Sequence, residues 1–232
     1  MSKPLAMQTE LDQVLSQCLT PPSAGWREQA PDRLTAAAVL VPLVVDESGI
    51  QVILTVRATH LRHHSGQISL PGGRREAADP DPAATALRES EEEIGLDRRV
   101  VKVVGGLKPL ETGTGFLIDP VVGLTRGPFS PRAVEPEVAA VFEVPLAFLM
   151  DPANRHRRHG IHNGRLREYF EIPFHSYRIW GATAAVLVDL CDRIVNHAAD
   201  LSGVNHLAPE IANFSKMVHD HRLKVARPWG PQ

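Results

Sequence analysis

The sequence predicts an α/β fold of the α+β kind, in which several strands pack with a few helices as a sandwich. Short apolar segments rich in β-branched residues recur between positions 36 and 180, separated by turn residues. Two longer segments, 83–94 and 181–195, contain no helix breaker in their interior and carry an apolar face. The chain has 232 residues, 43% of them hydrophobic and 5% aromatic, which is enough to bury a substantial core.

The first element is an amphipathic helix before the main domain. We expect Thr9 to cap it and the proline- and glycine-containing segment 21–25 to end it. Its apolar stripe consists of Leu11, Val14, Leu15 and Cys18.

The strands follow the same alternation of apolar and polar residues, with turns between them. The predicted strands are 36–45, 50–57, 100–107, 116–124, 138–144, 167–173 and 177–180. Hairpin turns are expected at 46–49 and 162–164, a loop at 111–115 and a short helix at 145–150. The basic segment 155–159 is interpreted as a solvated hairpin or loop edge, and the last two strands are expected to complete the sheet.

The helix at 83–94 has clear boundary signals. Asp81 is a good N-cap, Pro82 suits the first helical position, and Gly95 ends the helix. At about 100° per residue, three glutamates related as i, i+3 and i+4 fall on one face. They are Glu89, Glu92 and Glu93, whereas Glu91 points towards solvent. A separate small or apolar face is formed by Ala83, Leu87, Ser90 and Ile94.

Three neighbouring carboxylates raise one another's pKa values and need a compensating cation unless they face solvent. Magnesium prefers oxygen ligands in octahedral geometry and usually keeps waters and phosphate oxygens in its shell. We expect Arg88 to pair with Glu92 one helical turn on. The competing interpretation is a solvated acidic helix face with no ligand.

A second polar group precedes this helix. Arg57 and Arg62 place cations near Pro71-Gly72-Gly73, where glycines let backbone N–H groups approach phosphate oxygens. Each arginine alone is equally consistent with an ordinary surface residue. His60, His63 and His64 have no cysteine or carboxylate at ligand spacing, which favours solvated or phosphate-contacting side chains over a metal site.

Together these residues resemble the Nudix box, the sequence motif of the Nudix family of diphosphate hydrolases. The matching positions are Gly73, an acid at Asp79, and the run from Arg88 to Leu96 that contains Glu89, Glu92, Glu93 and Gly95. Asp79 stands where glutamate is usual, one extra residue precedes Arg88, and Ser90 replaces an aliphatic residue. The longer, aspartate-containing loop is similar to that of the coenzyme A diphosphatases in this superfamily.

An upstream element resembles the motif that accompanies the box in that subfamily. It comprises Ile53-Leu-Thr-Val-Arg57-Ala58, Arg62, Gly66 and Leu70-Pro71-Gly72-Gly73, with every spacing kept. The resemblance implies a Nudix-type α/β/α sandwich with a mixed sheet and covers residues 35–197, including the segment 177–183. It divides the chain into an N-terminal helix and linker (1–34), the Nudix domain (35–197) and a C-terminal extension (198–232).

The function that the resemblance implies is hydrolysis of the diphosphate bond of coenzyme A or its acyl or oxidised derivatives. Mg²⁺ or Mn²⁺ would be bound by Glu89 and Glu93, with Glu92 as a third or second-metal ligand. The implied catalytic residues are Arg88, Glu89, Glu92 and Glu137. Glu135 is the alternative to Glu137 as base, and Glu89 itself is another. The implied substrate-binding residues are Arg57, Arg62, Gly66, Gly72 and Gly73.

Other interpretations stay open at this point. They are hydrolysis of ADP-ribose, NADH or a dinucleoside polyphosphate, removal of RNA caps, and a non-catalytic nucleotide-binding module. The net charge of −2 and the lack of a broad positive field disfavour nucleic acid as a partner. We expect no membrane partner and a cytoplasmic location, because Met1-Ser-Lys-Pro begins no signal peptide, no window approaches a membrane span, and two distant cysteines form no disulfide pattern. Family members often form dimers, which leaves a homodimer open.

Overall fold

The computed structural model describes residues 3–21, 25–26, 33–45, 48–60, 66–125, 129–134, 136–162 and 165–202. Its helices are α1 (Lys3–Cys18), α2 (Pro82–Ile94), α3 (Leu146–Met150) and α4 (Gly181–Ser202). Its strands are β1 (Thr35–Val45), β2 (Ile50–Arg57), β3 (Ile68–Ser69), β4 (Gly72–Arg74), β5 (Val101–Gly106), β6 (Leu110–Glu111), β7 (Phe116–Thr125), β8 (Val138–Pro145), β9 (His156–His162), β10 (Arg165–Phe174) and β11 (Tyr177–Trp180). Among these helices, none is long and apolar enough to cross a membrane.

Eight of the described strands form one mixed sheet. Its main order is β3-β2-β1-β7-β5, with β4 beside β1, β6 beside β7 and β8 beside β2. β1 and β7 run parallel from Thr35 opposite Phe116 to Val44 opposite Thr125, and the other pairs are antiparallel. The predicted mixed sheet is therefore confirmed.

Helices cover both faces of this sheet. Val41 and Leu43 of β1 belong to a buried cluster that includes residues of α1, α3 and α4. Leu40 and Val44 belong to a second cluster with Ala86 and Ile94 of α2. This division follows from the alternation of side chains along a strand. The α/β/α sandwich predicted from the sequence is confirmed.

The prediction that the last strands complete this sheet is wrong. They form a separate three-stranded antiparallel sheet in the order β11-β10-β9, in which the basic segment 155–159 contributes most of β9. Alternation along a strand reports which side chains are buried, but it does not identify the neighbouring strand. Cross-strand pairs such as Arg157–Glu168 lie within this second sheet.

Two helix boundaries also differ from the prediction. Thr9 is not a cap, because α1 already begins at Lys3 and Thr9 lies inside it. The segment Leu5-Ala-Met-Gln8 has high helix propensity, and a proline near the start is compatible with a helix. The apolar stripe is confirmed, since Leu11 and Leu15 are fully buried. α4 extends to Ser202, so the helix continues across the predicted boundary at 197.

The position of the site depends on where β1 and β2 separate. They pair only from Leu43–Val52 to Val45–Ile50. Beyond this point β3 pairs with β2, and β4 pairs with β1, with Val39 opposite Gly72. The backbone N–H of Leu40 donates to the carbonyl of Pro71 at 2.8 Å. The glycine-containing segment therefore fills the gap between two central strands.

The ends of α2 are as predicted. The backbone N–H of Ala84 donates to Oδ1 of Asp81 at 2.8 Å. Gly95 adopts a left-handed conformation with φ of 70° and donates back to the carbonyl of Glu91. These caps set the limits of the helix that presents the glutamates.

Asp79 ties the loop before α2 to the helix itself. It is 5% exposed and accepts hydrogen bonds from the Glu76 N–H, the Thr85 hydroxyl and the Arg88 guanidinium. Burial raises the pKa of Asp79, but these donors, Arg88 first, outweigh it and lower the pKa to about 2. The charged carboxylate therefore stabilises the loop on the first two turns of α2.

We expect Asp79→Asn to lower the free energy of unfolding by about 1–3 kcal/mol at neutral pH, because Arg88 loses its buried anionic partner. The folded pKa lies below the ordinary value of 3.8, so this stabilisation is present above 3.8 and is lost as the pH falls towards 2. The difference in free energy of unfolding between the variant and the parent should become smaller over the same pH range. Urea unfolding at several pH values measures both effects.

The matched control is Glu91→Gln, which removes a more exposed ion pair to Arg98 on the same helix. It should change stability by no more than about 1 kcal/mol. An Asp79→Asn variant as stable as this control at neutral pH would contradict the assigned role of Asp79.

Candidate active site

The candidate site lies where the two glycines of β4 face two glutamates of α2. Glu93 is 8% exposed, and its Oε2 accepts a hydrogen bond from the Gly72 N–H at 3.1 Å. One helical turn earlier, the carboxylate of Glu89 lies against Gly73, where an added Cβ would lie 2.5 Å from Cδ of Glu89. Two glycines in sequence therefore make room for two carboxylates.

The charges of these two side chains are poorly compensated within the chain. Burial raises the pKa of Glu93 to about 7; the Gly72 N–H lowers it and the Glu89 carboxylate raises it further. Burial also raises the pKa of Glu89, although Arg88 acts in the opposite direction. Adjacent, partly desolvated carboxylates of this kind favour a bound cation.

Arg88 organises the carboxylates on this side of the helix. Its side chain is only 14% exposed. It donates to Glu89 and Glu92 at 3.0 Å each, to Asp79, and to the carbonyl of Arg74 at 3.1 Å. The predicted pairing of Arg88 with Glu92 is thus present. These contacts are those of a positioning residue, since most of the guanidinium donors already have protein acceptors.

The three predicted metal ligands do not all face the same way. Glu89 and Glu93 lie against β4, whereas the side chain of Glu92 is 47% exposed and turned to Arg88. Within the described ranges, no three His, Cys, Asp or Glu side chains converge closely enough to hold a metal ion. Two carboxylate donors nevertheless fit Mg²⁺ or Mn²⁺, because such ions usually complete their shell with water and phosphate oxygens. The ligand assignment stays a prediction.

Arg57 and Glu137 lie close enough to Glu93 to interact with it electrostatically. Arg57 ends β2, and Glu137 precedes β8, where its carbonyl accepts the Ala58 N–H at 2.7 Å. Nη2 of Arg57 lies 3.1 Å from Oε2 of Glu137. The charge of Arg57 lowers the pKa of Glu93, and the charge of Glu137 raises it. The structure therefore brings Arg57 and Glu137 together at the site.

Arg57 also retains a hydrogen-bond donor for a ligand. Its Nε atom is buried and has no hydrogen-bond partner among the described groups. A buried donor without an acceptor is costly, which suits a position that binds an anionic oxygen. This favours the interpretation of Arg57 as a substrate-binding residue over that of an ordinary surface arginine.

The loop after Arg57 is described only at its ends. Gly66 has φ of 68°, and its N–H donates to the carbonyl of Arg57, so it closes the loop in a conformation that favours glycine. His60 is exposed. The predicted residues Arg62, His63, His64 and Glu135 lie outside the described residues.

Two sets of contacts could not be predicted from the sequence, those of Trp26 and that between Arg57 and Glu137. The indole Nε1 of Trp26 donates to the carbonyl of Asp79 at 3.1 Å, and the guanidinium of Arg75 lies 5.2 Å from the indole ring. The Arg57–Glu137 ion pair joins residues 80 positions apart. No local pattern predicts either contact, since both depend on chain segments distant in sequence. Thr183 has a structural role, because its hydroxyl donates to the carbonyl of Ile68 at 3.1 Å.

Substitutions of the two glycines should have different effects, one on the stability of the fold and the other on metal binding. Gly72 has φ of 152°, and an added Cβ would lie 2.6 Å from the Cα of Val39, so Gly72→Ala should lower the free energy of unfolding by about 1–3 kcal/mol. At Gly73 the added Cβ meets only the mobile end of Glu89. Gly73→Ala should therefore fold normally but bind Mn²⁺ more weakly than the parent.

Thermal unfolding and titration with Mn²⁺ measure the two effects. Gly25→Ala is the control, because nothing lies within 4 Å of a Cβ at that position. A Gly73→Ala variant with unchanged Mn²⁺ affinity would show that the contact between Gly73 and Glu89 does not shape the site.

Comparison with known proteins identifies the family of this site. The NUDIX domain model matches residues 34–163. The uncharacterized Nudix hydrolase NudL of Salmonella paratyphi B is 39% identical over 158 residues, which cover 68% of this chain and 82% of that protein. The same protein of Salmonella newport matches equally.

Solved structures with related folds show lower identity. RenU, a Nudix hydrolase from M. Smegmatis, is 23% identical with a TM-score of 0.42, covering 55% of this chain and 78% of its own. A MutT/nudix family protein from Enterococcus faecalis is 14% identical with a TM-score of 0.47, covering 83% of each chain. From the domain match and the 39% identical relatives it follows that the chain belongs to the Nudix family and is a hydrolase that acts on pyrophosphate bonds.

Proposed function

We propose that the protein hydrolyses the diphosphate bond of coenzyme A or its acyl or oxidised derivatives. The products are 3′,5′-ADP and 4′-phosphopantetheine or its acylated form. The observation that supports the hydrolytic site is the pair of carboxylates, Glu89 and Glu93, held against Gly73 and Gly72 with Arg57 beside them. The narrower choice of coenzyme A rests on the sequence element from Ile53 to Gly73.

The proposed cofactor is Mg²⁺ or Mn²⁺. Glu89 and Glu93 would hold it, and Glu92 would join them after leaving Arg88. When bound, the ion supplies charge neutralisation for the diphosphate and lowers the pKa of a coordinated water.

The residues of the chain itself have separate proposed roles. Arg57 binds a phosphate oxygen through its guanidinium, whose buried Nε has no partner among the described groups, and Arg62, Gly66, Gly72 and Gly73 form the rest of the proposed substrate-binding set. Arg88 keeps Glu89 and the loop at Asp79 in place through its hydrogen bonds. Positioning of this kind accounts for much of phosphoryl-transfer catalysis.

Glu137 is the proposed general base. It is paired with Arg57 at 3.1 Å, so an anionic substrate that engages Arg57 would weaken this pair and leave the Glu137 carboxylate to accept a proton from water. Glu89 is the alternative base. Glu89, unlike Glu137, is also a proposed metal ligand. Substitution of Glu89 should therefore weaken metal binding, whereas substitution of Glu137 should not.

We also propose a cellular location and an oligomeric state for the protein. Both cysteines are free, which suits a reducing cytoplasm. A small-molecule substrate is the expected partner. A homodimer stays a prediction that light scattering of the full chain measures.

We expect Mg²⁺-dependent turnover of coenzyme A with release of 3′,5′-ADP, identified by mass spectrometry. Glu93→Gln should lower kcat/KM by at least about two orders of magnitude, since a buried charged group at the reacting centre is lost. Glu91→Gln, on the same helix but paired with Arg98, should stay within about twofold of the parent.

The same assay with ADP-ribose, NADH and a diadenosine polyphosphate tests the choice of substrate. A clear preference for ADP-ribose over coenzyme A would overturn the narrower proposal and leave the hydrolase assignment intact. A fully active Glu93→Gln variant would remove Glu93 from the site.

Glu137→Gln should lower kcat by about 10²–10⁴-fold and leave Mn²⁺ affinity unchanged, because a base is lost without loss of a metal ligand. Glu89→Gln should weaken Mn²⁺ binding as well. Steady-state kinetics beside Mn²⁺ titration separates these outcomes. If Glu137→Gln retains full kcat, Glu89 becomes the better candidate for the base.

A further inference from the structure

A second polar cavity opens at the start of β1, apart from the paired carboxylates. Its volume is about 460 Å³. Its lining residues are Arg33, Leu34, Glu111, Thr112, Gly113, Gly115 and Arg167. We call this cavity the arginine pocket.

The arginine pocket retains positive charge. Arg33 pairs with Glu111 at 3.0 Å, but the two side chains are 69% and 50% exposed, so this pair is weak and can be shared with an anion. Arg167 is exposed, and its side chain makes no hydrogen bond or ion pair with any described residue. A guanidinium in this state offers several donors to a phosphate.

The loop in this pocket allows a close approach of a ligand to the backbone. Gly115 has φ of 87°, and nothing lies within 4 Å of a Cβ built there. The loop is held in shape by the hydroxyl of Thr112, which accepts the Phe116 N–H at 3.0 Å. An open glycine on an ordered loop is typical of sites where a ligand contacts the main chain.

The arginine pocket is connected to the carboxylates through β1. The N–H of Thr35 donates to the carbonyl of Gly115 at 2.8 Å, and Ala38 pairs with Gly73. Four residues from Leu34 to Ala38 span roughly 13 Å at the rise of a strand. Between the two ends, the guanidinium of Arg74 lies 5.3 Å from the ring of Phe116. A substrate longer than the diphosphate alone can bridge this distance.

We infer that the arginine pocket binds the phosphate monoester at the far end of the substrate's nucleotide, with Arg167 and Arg33 as its contacts. This inference rests on the proposed function, because coenzyme A carries such a 3′-phosphate and most other nucleoside diphosphate derivatives do not. Both arginines lie outside residues 34–163, which the family model matches. The two cationic residues of the pocket thus come from segments that flank the matched region, whereas Leu34, Glu111 and the glycine-containing loop lie within it.

Binding of product analogues to the full chain tests the pocket directly. By calorimetric titration, the parent should bind adenosine 3′,5′-bisphosphate at least about tenfold more tightly than adenosine 5′-monophosphate, the size expected for charge-assisted hydrogen bonds. Arg167→Gln should abolish most of this preference, and Arg33→Gln should reduce it.

The matched control is Arg157→Gln, an exposed arginine of the same hairpin that pairs with Glu168 and does not line the pocket. It should keep the preference. Equal affinities of the parent for the two nucleotides, or a preference that survives the double substitution at Arg33 and Arg167, would overturn the inference.

Kinetics with coenzyme A and dephospho-coenzyme A provides a second readout. Arg167→Gln should raise KM for coenzyme A by about tenfold, leave kcat unchanged, and leave both constants for dephospho-coenzyme A unaltered. An equal rise in KM for coenzyme A and for dephospho-coenzyme A would overturn the inference. A parent protein without activity on coenzyme A would sink the proposed function, whereas the nucleotide titrations would still decide whether the pocket binds the phosphate.

Discussion

The close approach of β4 to α2 is the constraint on which the site depends. Gly72 lies against Val39 of the neighbouring strand and Gly73 lies against the carboxylate of Glu89, so a side chain at either position would collide with backbone or with the site. Because no Cβ intervenes, a helix carboxylate can accept a main-chain N–H from the sheet, as Glu93 does from Gly72. Glu89 and Glu93 of α2 are thus held against the sheet, whereas the side chain of Glu92 is exposed.

This arrangement brings together like charges that the fold must balance. Arg88 provides part of the balance, since it contacts Glu89, Glu92 and Asp79 and is itself largely buried. Asp79 fixes Arg88 and the loop, while Glu93 receives one backbone N–H and the nearby charge of Arg57. Burial still raises the pKa values of Glu89 and Glu93, and shifted pKa values of this kind are common at functional sites.

Local signals predicted the local parts of this site well. The cap at Asp81, the stop at Gly95 and the Arg88–Glu92 pair depend on residues within one or two helical turns. The orientation of Glu92 was less predictable, because helical periodicity places three glutamates on one face without deciding which of them Arg88 engages. Trp26 and the Arg57–Glu137 pair could not be predicted, since their partners are far apart in the chain.

The sequence by itself determined the family, the acidic helix α2 and the mixed sheet between helices, because these depend on short spacings and on alternating polarity. Only the tertiary structure decided that β9, β10 and β11 form a second sheet, and that Arg167 of β10 lines the arginine pocket with Arg33. The physical reason is that the arginine pocket joins Arg33 and Arg167, which are more than a hundred residues apart. β9, β10 and β11 pair only with their neighbours along the chain, and local residue preferences do not encode which sheet a strand joins.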